Sequence, residues 1–276
     1  MALFYGVCFD EAARDYTITV TPFNCTLVNV TAVTQAQTPA LGEPWRLQIT
    51  ATGANPSVTI STNVPTGARS RVKGLLGVTQ VSGGGAGFLV GPATSAPSAC
   101  TLSSRLTSCA FVTSDDDLII TPISMSAPEV RVIDIGRLWI SNIARIYGGP
   151  FEEWTDGGED SGRMVETSGF QSQGFALSTR KVYEIPLSVV THADMYEGTG
   201  TGQSNYAGLK DAVMHAGVHD QILVGSFSLQ TTDVYKATSD LYGVDALTYG
   251  RLLEIPTIRR IGGPNYGCSL NFVEEK

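Results

Sequence analysis

The sequence predicts a mainly β protein, built as two β-sandwich-like units with one short helix in the second. Three observations predict it. Apolar and polar residues alternate with period two through most of the first half. Gly and Pro break those runs at short intervals. Only one segment of the 276 residues places its apolar side chains at helical spacing.

The first unit is expected over residues 1–150 as a sandwich or jelly roll. Tyr16, Ile18 and Val20 alternate with Thr17, Thr19 and Thr21. Trp45, Leu47, Ile49 and Ala51 alternate with Arg46, Gln48 and Thr50, and Val58 and Ile60 with Thr59 and Ser61. Each run offers one face to a core and one to water, as antiparallel strands do. Thr is frequent because a β-branched side chain suits the pleat. Turn signals stand between the runs at Gly42-Glu43-Pro44, Gly53-Ala54-Asn55-Pro56 and Pro65-Thr66-Gly67. Residues 82–97 read as a long loop around one short apolar strand. Asp115, Asp116 and Asp117 read as a solvated turn before Leu118-Ile119-Ile120; a calcium loop needs oxygen ligands at spaced positions, which do not follow. Arg131–Ile146 is apolar on both faces, which predicts strands buried on both sides, and Gly148-Gly149-Pro150 closes the unit.

Residues 151–180 are polar, acidic and Gly-rich, and read as a loop or linker. The second unit is expected over 181–276. Tyr183, Ile185, Leu187 and Val189 alternate with Glu184, Pro186 and Ser188. Pro186 cannot donate to a ladder, which predicts an edge strand or a bulge there. Further strands are expected at 221–229, 251–258 and 268–273. The helix is expected over 204–217, with Ser204 as N-cap, a buried face of Leu209, Ala212, Val213 and Ala216, and Gly217 as its stop.

Composition narrows the function classes. A hydrophobic content of 42% with 16% charged residues supports a sizeable core. The net charge of −8 arises wholly in the second half, because residues 1–150 balance nine acids against nine bases. An acidic chain without a basic patch has no electrostatic reason to bind nucleic acid. No run of about 18 apolar residues predicts a membrane span. The N-terminal residues, acidic within the first dozen, predict no signal peptide. Cys8, Cys25, Cys100, Cys109 and Cys268 are irregularly spaced; their odd count favours free thiols over a Cys100–Cys109 bridge.

The candidates for chemistry are weak. Gly198-Thr199-Gly200-Thr201-Gly202 precedes the helix, where free N–H groups favour an anion, but no Lys-Ser/Thr completes a P-loop, and a surface loop is the better reading. His215 and His219 are four residues apart, with His192 and Asp194 as further potential ligands. Gly217 lies between the two and ends their common helix, so no metal is expected. No serine sits in a nucleophile elbow. Glu152, Glu153, Asp156, Glu159 and Asp160 cluster in sequence; glycosidase chemistry needs two carboxylates opposed in space, and a solvated acidic loop is favoured. Tyr147 and Trp154 are candidate stacking surfaces for a sugar or a partner, together with Asp156, Glu159 and Asp160. Trp139, which precedes them in the first unit, is expected in the core.

The order of features resembles a known family. A Thr-rich sandwich ends in Asp134-Ile135-Gly136-Arg137-Leu138-Trp139, then Gly-Gly-Pro. A W-x-D-G pattern follows at Trp154–Gly157, then Lys181–Leu187, one short helix, Tyr249-Gly250-Arg251-Leu252, and a closing strand at Leu270–Glu275. This resembles distal-tail or baseplate structural proteins of the tail tip of long-tailed bacteriophages, some of which carry a galactose-binding or discoidin-type first domain. The resemblance implies a virion protein without catalytic residues or cofactors, assembled in the host cytoplasm. It implies a homo-oligomeric ring that contacts tail-tube, tape-measure and baseplate hub proteins. The rival expectations are a carbohydrate-binding module for host-surface glycans and, less supported, a glycosidase-type enzyme.

Overall fold

The computed structural model describes residues 3–9, 18–28, 45–62, 71–82, 87–93, 100–102, 107–113, 117–146, 155–160, 163–166, 172–175, 179–197, 208–231, 234–237 and 247–274. In chain order the first half contributes β1 (Leu3–Phe9), β2 (Ile18–Phe23), β3 (Cys25–Val28), β4 (Trp45–Ala51), β5 (Ser57–Thr62), β6 (Arg71–Ser82), β7 (Phe88–Pro92), β8 (Cys100–Leu102), β9 (Thr107–Thr113), β10 (Asp117–Pro122), β11 (Val130–Ile135), β12 (Arg137–Asn142) and β13 (Ala144–Ile146). The second half contributes β14 (Thr155–Asp160), β15 (Arg163–Glu166), β16 (Ser172–Phe175), β17 (Thr179–Thr191), a π-helical turn (Ala193–Glu197), α1 (Leu209–Ala216), β18 (Gln221–Thr231), β19 (Val234–Ala237), β20 (Leu247–Leu252), β21 (Arg259–Gly262) and β22 (Asn265–Glu274). The protein is mainly β, and its strand pairs are antiparallel.

The alternation read from the sequence becomes a sandwich core. A five-stranded sheet, β2-β5-β10-β7-β8, packs against strands of a larger sheet that includes β3, β4, β11, β6, β9 and β12. Ile18, Val58, Ile60, Phe88, Val90, Leu118 and Ile120 from one side meet Leu47, Ile49, Leu75, Phe111, Ile133, Leu138 and Ile140 from the other. Each fully buried Leu, Ile or Phe among them contributes about 1.5–3 kcal/mol by leaving water. Two arginines brace the sandwich, one at a turn and one across a strand pair. The buried Arg131 guanidinium donates to Glu129 Oε1 (2.9 Å) and to the Ile123 carbonyl (2.7 Å). Arg46 makes a two-pronged pair with Asp134, 2.9 Å on each prong.

The strands near Arg131–Ile146 are buried on both faces, as expected. On β12, Leu138 and Ile140 enter the sandwich core, while Trp139 points the other way. Trp139 is fully buried, and its indole N–H donates to Ser141 Oγ (2.9 Å). Val72 and Leu76 of β6 and Ala110 and Val112 of β9 share that second face. Gly74, opposite both Trp139 and Ala110, lets these strands close up: a Cβ there would lie 2.3 Å from the Cys109 carbonyl oxygen.

Pairing crosses the expected boundary at residue 150. β1 pairs with β18 from Leu3–Ser228 to Phe9–Ile222, and β19 pairs with β9 at Tyr235–Val112. Leu223 and Phe227 of β18, with Leu247 and Tyr249 of β20, pack on the Trp139 face. The two halves therefore share a hydrophobic core. A third core lies on the opposite face of β18, where Ile222 and Val224 meet Ile185, Leu187, Leu270, Phe272 and α1.

Several expectations are corrected. The segment 151–180 is not a plain linker: β14 pairs with β17, and β15 pairs with β16 in a hairpin of its own. Their order comes from backbone pairing, not from an apolar stripe. The helix starts at Leu209 with Gly208 at the N-cap position, so Ser204, outside the described residues, is not its cap. Its expected buried face holds: Leu209, Ala212, Val213 and Ala216 are all buried. Gly217 ends it at φ +54°, donating to the Val213 carbonyl, a conformation that costs a β-carbon residue energy. The strand expected at 251–258 lies at 247–252 instead, and residues 253–258 leave the ladder. Pro186 pairs with Ser269 of β22, beyond the end of β14's pairing and beside a register shift between Leu187 and Val190, so no bond to β14 needs the N–H it lacks. Cys25, Cys109 and Cys268 are free thiols, so no Cys100–Cys109 bridge forms. Among the described residues no helix is long and apolar enough to cross a membrane.

Candidate assembly surface

One end of the larger sheet gathers the features a partner would use. The strands there run β14-β17-β22, and β21 lies on the far side of β22. β22 is held on both sides at Tyr266, by Val190 of β17 and by Arg260 of β21. Among the described residues β14 pairs only with β17, and β21 only with β22. Neither has a second strand beside it there, and a sheet edge left open is a template for pairing.

β21 is exposed along its whole length. Arg260 Nε donates back to the Gly263 carbonyl (3.0 Å), pinning the hairpin turn to β22. Ile261 is 59% exposed, and Leu253 and Ile255, just before the strand, are 50% and 49% exposed. Three large apolar side chains within nine residues are left to water. An isolated exposed apolar residue is ordinary; three in one short segment make it a candidate contact surface.

The cause of that exposure is a bulge. Leu252 pairs with Phe272 and Arg259 with Gly267, so residues 253–258 stand opposite only 268–271. The surplus lifts the chain out of the ladder, although the Leu253 N–H still donates to the Asn271 carbonyl (2.8 Å). Bulges of this kind re-aim side chains and end pairing. Under it lies an open groove of about 490 Å³, lined by Pro186, Leu187, Glu254, Pro256, Arg259 and Cys268 among others. Its polar wall is already bonded: Asn271 Nδ2 donates to Glu254 Oε1 (2.9 Å), and the Ser269 hydroxyl donates to Glu184 Oε1 (3.3 Å). Burial pushes the Cys268 thiol up to about 11, so it is protonated at neutral pH and is no nucleophile.

A second cluster follows β17. Thr191 Oγ donates to Asp194 Oδ2 (2.7 Å) and accepts from the Asp194 N–H (3.2 Å), a capping arrangement that starts the π-helical turn. Burial raises the Asp194 pKa, opposed by the Thr191 bond. His192 Nδ1 lies 3.2 Å from the Tyr266 hydroxyl, and its ring packs on Tyr196 and Tyr266. Lys210 Nζ sits 5.1 Å from the centre of the Tyr196 ring. These groups satisfy one another. Asp194 is turned to Thr191, not toward a shared ligand position with His192. Among the described residues no three His, Cys, Asp or Glu side chains converge as a metal site would require.

The sequence candidates fall as follows. Asp156, Glu159 and Asp160 lie on β14, opposite Tyr183, Arg180 and Thr179 of β17. Tyr147, Trp154, Glu152, Glu153 and the 198–202 glycine run lie outside the described residues. Trp139 is in the core, as expected. The bulge and β21 were missed. Their available signal was Pro256 inside an apolar run, followed by Arg259-Arg260-Ile261 and a Gly262-Gly263-Pro264 turn. Compared with models of known families and with curated proteins, the chain matches none.

Proposed function

We propose that this chain is a non-enzymatic structural protein of the virion, in the tail tip of a long-tailed phage. Copies form a closed ring that joins the tail tube and tape measure to the baseplate hub or fibres, after assembly in the host cytoplasm. The observation that carries the reading is the β21 edge, which has no strand on its outer side among the described residues, with Ile261 and the neighbouring Leu253 and Ile255 held out to solvent. Here the bulge opens it, while three cores keep the sheet behind it rigid. A rigid sheet with an open end suits a part whose work is to be joined. The order of sequence features supports the phage setting, and the surface supports assembly. The test is the mass of the protein in solution, by light scattering over a concentration series. A discrete oligomer, or a monomer converting to one as concentration rises, is expected. A strict monomer at every concentration overturns self-assembly.

A further inference from the structure

The sheet formed by β17, β22 and β21 is covered on one face. Tyr266, Cys268, Leu270 and Phe272 of β22 pack into the third core with α1 and the π-helical turn. Gly267, Ser269 and Asn271 alternate with them, turn to the other face and floor the open groove. Pro186 stands beside Ser269, and Arg259 beside Gly267. Val189, Ile255 and Ile261 are exposed nearby. Among the described residues Arg259 has no hydrogen bond or ion pair, and Glu254 meets only the neutral Asn271 amide. The groove therefore carries a cation and a carboxylate that both lack a charged partner. We infer that a second copy of this chain covers this face, related to the first by a two-fold axis. The inference deepens the assembly reading above by naming one contact between copies; a ring built from such pairs closes through a second, head-to-tail contact.

The positions of the two charges select that partner. Glu254 is bonded at the level of Asn271, and Arg259 pairs at the level of Gly267. Four residues of β22 separate those levels, roughly 13 Å, so the two do not pair within one copy. Both lie on the side of β22 away from β17, and Ser269 is midway in height. Consider an axis in the contact plane, at right angles to the strands and level with Ser269. Rotation about it lays a second copy face to face with the first, keeps each residue on its side of β22, and reverses its height. Arg259 of each copy then lies over Glu254 of the other, and the pair forms twice. Self-complementarity of this kind is what a two-fold contact requires. Sheets packed with nearly aligned strands are common, and the small Gly267 and Ser269 permit close approach. Three strands over seven residues cover only roughly 330 Å², against about 800 Å² per partner in a standard interface. The pair is therefore weak and depends on concentration.

Three variants test it: R259E, E254R and the double reversal R259E/E254R. Light scattering from about 1 to about 500 µM reads the mass, and circular dichroism confirms that each variant is folded. The wild type is expected to reach a dimer, or a larger assembly with an even number of copies. Each single reversal sets like charges opposite each other at both positions, and should assemble only at about tenfold higher concentration or more. The double reversal restores opposite signs and should regain the wild-type range. Single reversals that keep the wild-type range, a folded double reversal that does not regain it, or an odd copy number overturn the two-fold contact. A ring mass shared by the wild type and all variants overturns the contact and leaves the ring reading standing. Wild type and variants all monomeric overturn self-assembly and the contact with it. If a variant loses its folded signal, the wild type alone decides: raising salt from about 0.05 to about 0.5 M screens exposed pairs and should weaken assembly, and a mass indifferent to salt overturns the contact.

Discussion

Phe227 tests whether the two halves of the chain unfold as one. It lies on β18, in the second half, and is fully buried. Its cluster is drawn from both halves, with Val72, Leu76, Ala110, Val112 and Trp139 from the first and Leu223 from the second. Replacing it with Ala removes a ring from a closed core, which costs about 3–5 kcal/mol. For a chain of this size that lowers the melting temperature by about 6–20 °C. The assay needs a reporter in the other half, and Trp139 is one. In a W45F/W154F background Trp139 is the single tryptophan, so its fluorescence reports unfolding around β12, while far-ultraviolet circular dichroism reports the whole chain. Because Phe227 and Trp139 share a core, both signals in F227A should fall together and earlier than in the parent. If Trp139 fluorescence keeps the parental midpoint while circular dichroism drops in a separate, earlier phase, the halves are independent and the shared-core account is refuted.

Other outcomes follow from single groups. Arg131→Met should destabilise the first sandwich by about 3–5 kcal/mol, measured by urea unfolding, because it leaves the Ile123 carbonyl and Glu129 without their buried partner. Asp194 binds its proton more tightly in the folded chain than in the unfolded one, so its contribution is greatest below the ordinary carboxylate pKa and is lost as pH rises through the raised value. The stability of Asp194→Asn relative to wild type should therefore improve from about pH 3 to about pH 7; a flat or opposite trend contradicts the burial argument. Cys268 alkylation, followed by peptide mass spectrometry, should be slow at neutral pH and rise about tenfold per pH unit, levelling only near about 11.

Much of the first half is legible in its sequence because its strands are half-buried. Leu47, Ile49 and Ala51 alternate with polar neighbours because one face of β4 meets the core, and Val58 and Ile60 repeat the pattern on β5. The apolar run around Trp139 signals burial on both faces for the same reason. What stays hidden is what depends on remote partners. β14 is a Gly-rich acidic segment with no stripe of its own, and its strand is imposed by the register with β17. The sharing of a core by the two halves rests on ladders such as Tyr5 to Ser226, which no local pattern encodes. At the candidate surface, the acidic residues stood out in the sequence by charge, but their place on a sheet edge did not. The bulge at 253–258 is a mismatch in count between two strands, visible only once Leu252 and Arg259 have found their partners on β22.

The most direct test of the central claim is where the protein sits in the particle. Gold-labelled antibody against this chain, imaged on purified virions by electron microscopy, should mark the tip of the tail, as a collar of several copies around its axis. Intact particles that carry no label, or label confined to the head, would contradict a structural role at the tail tip.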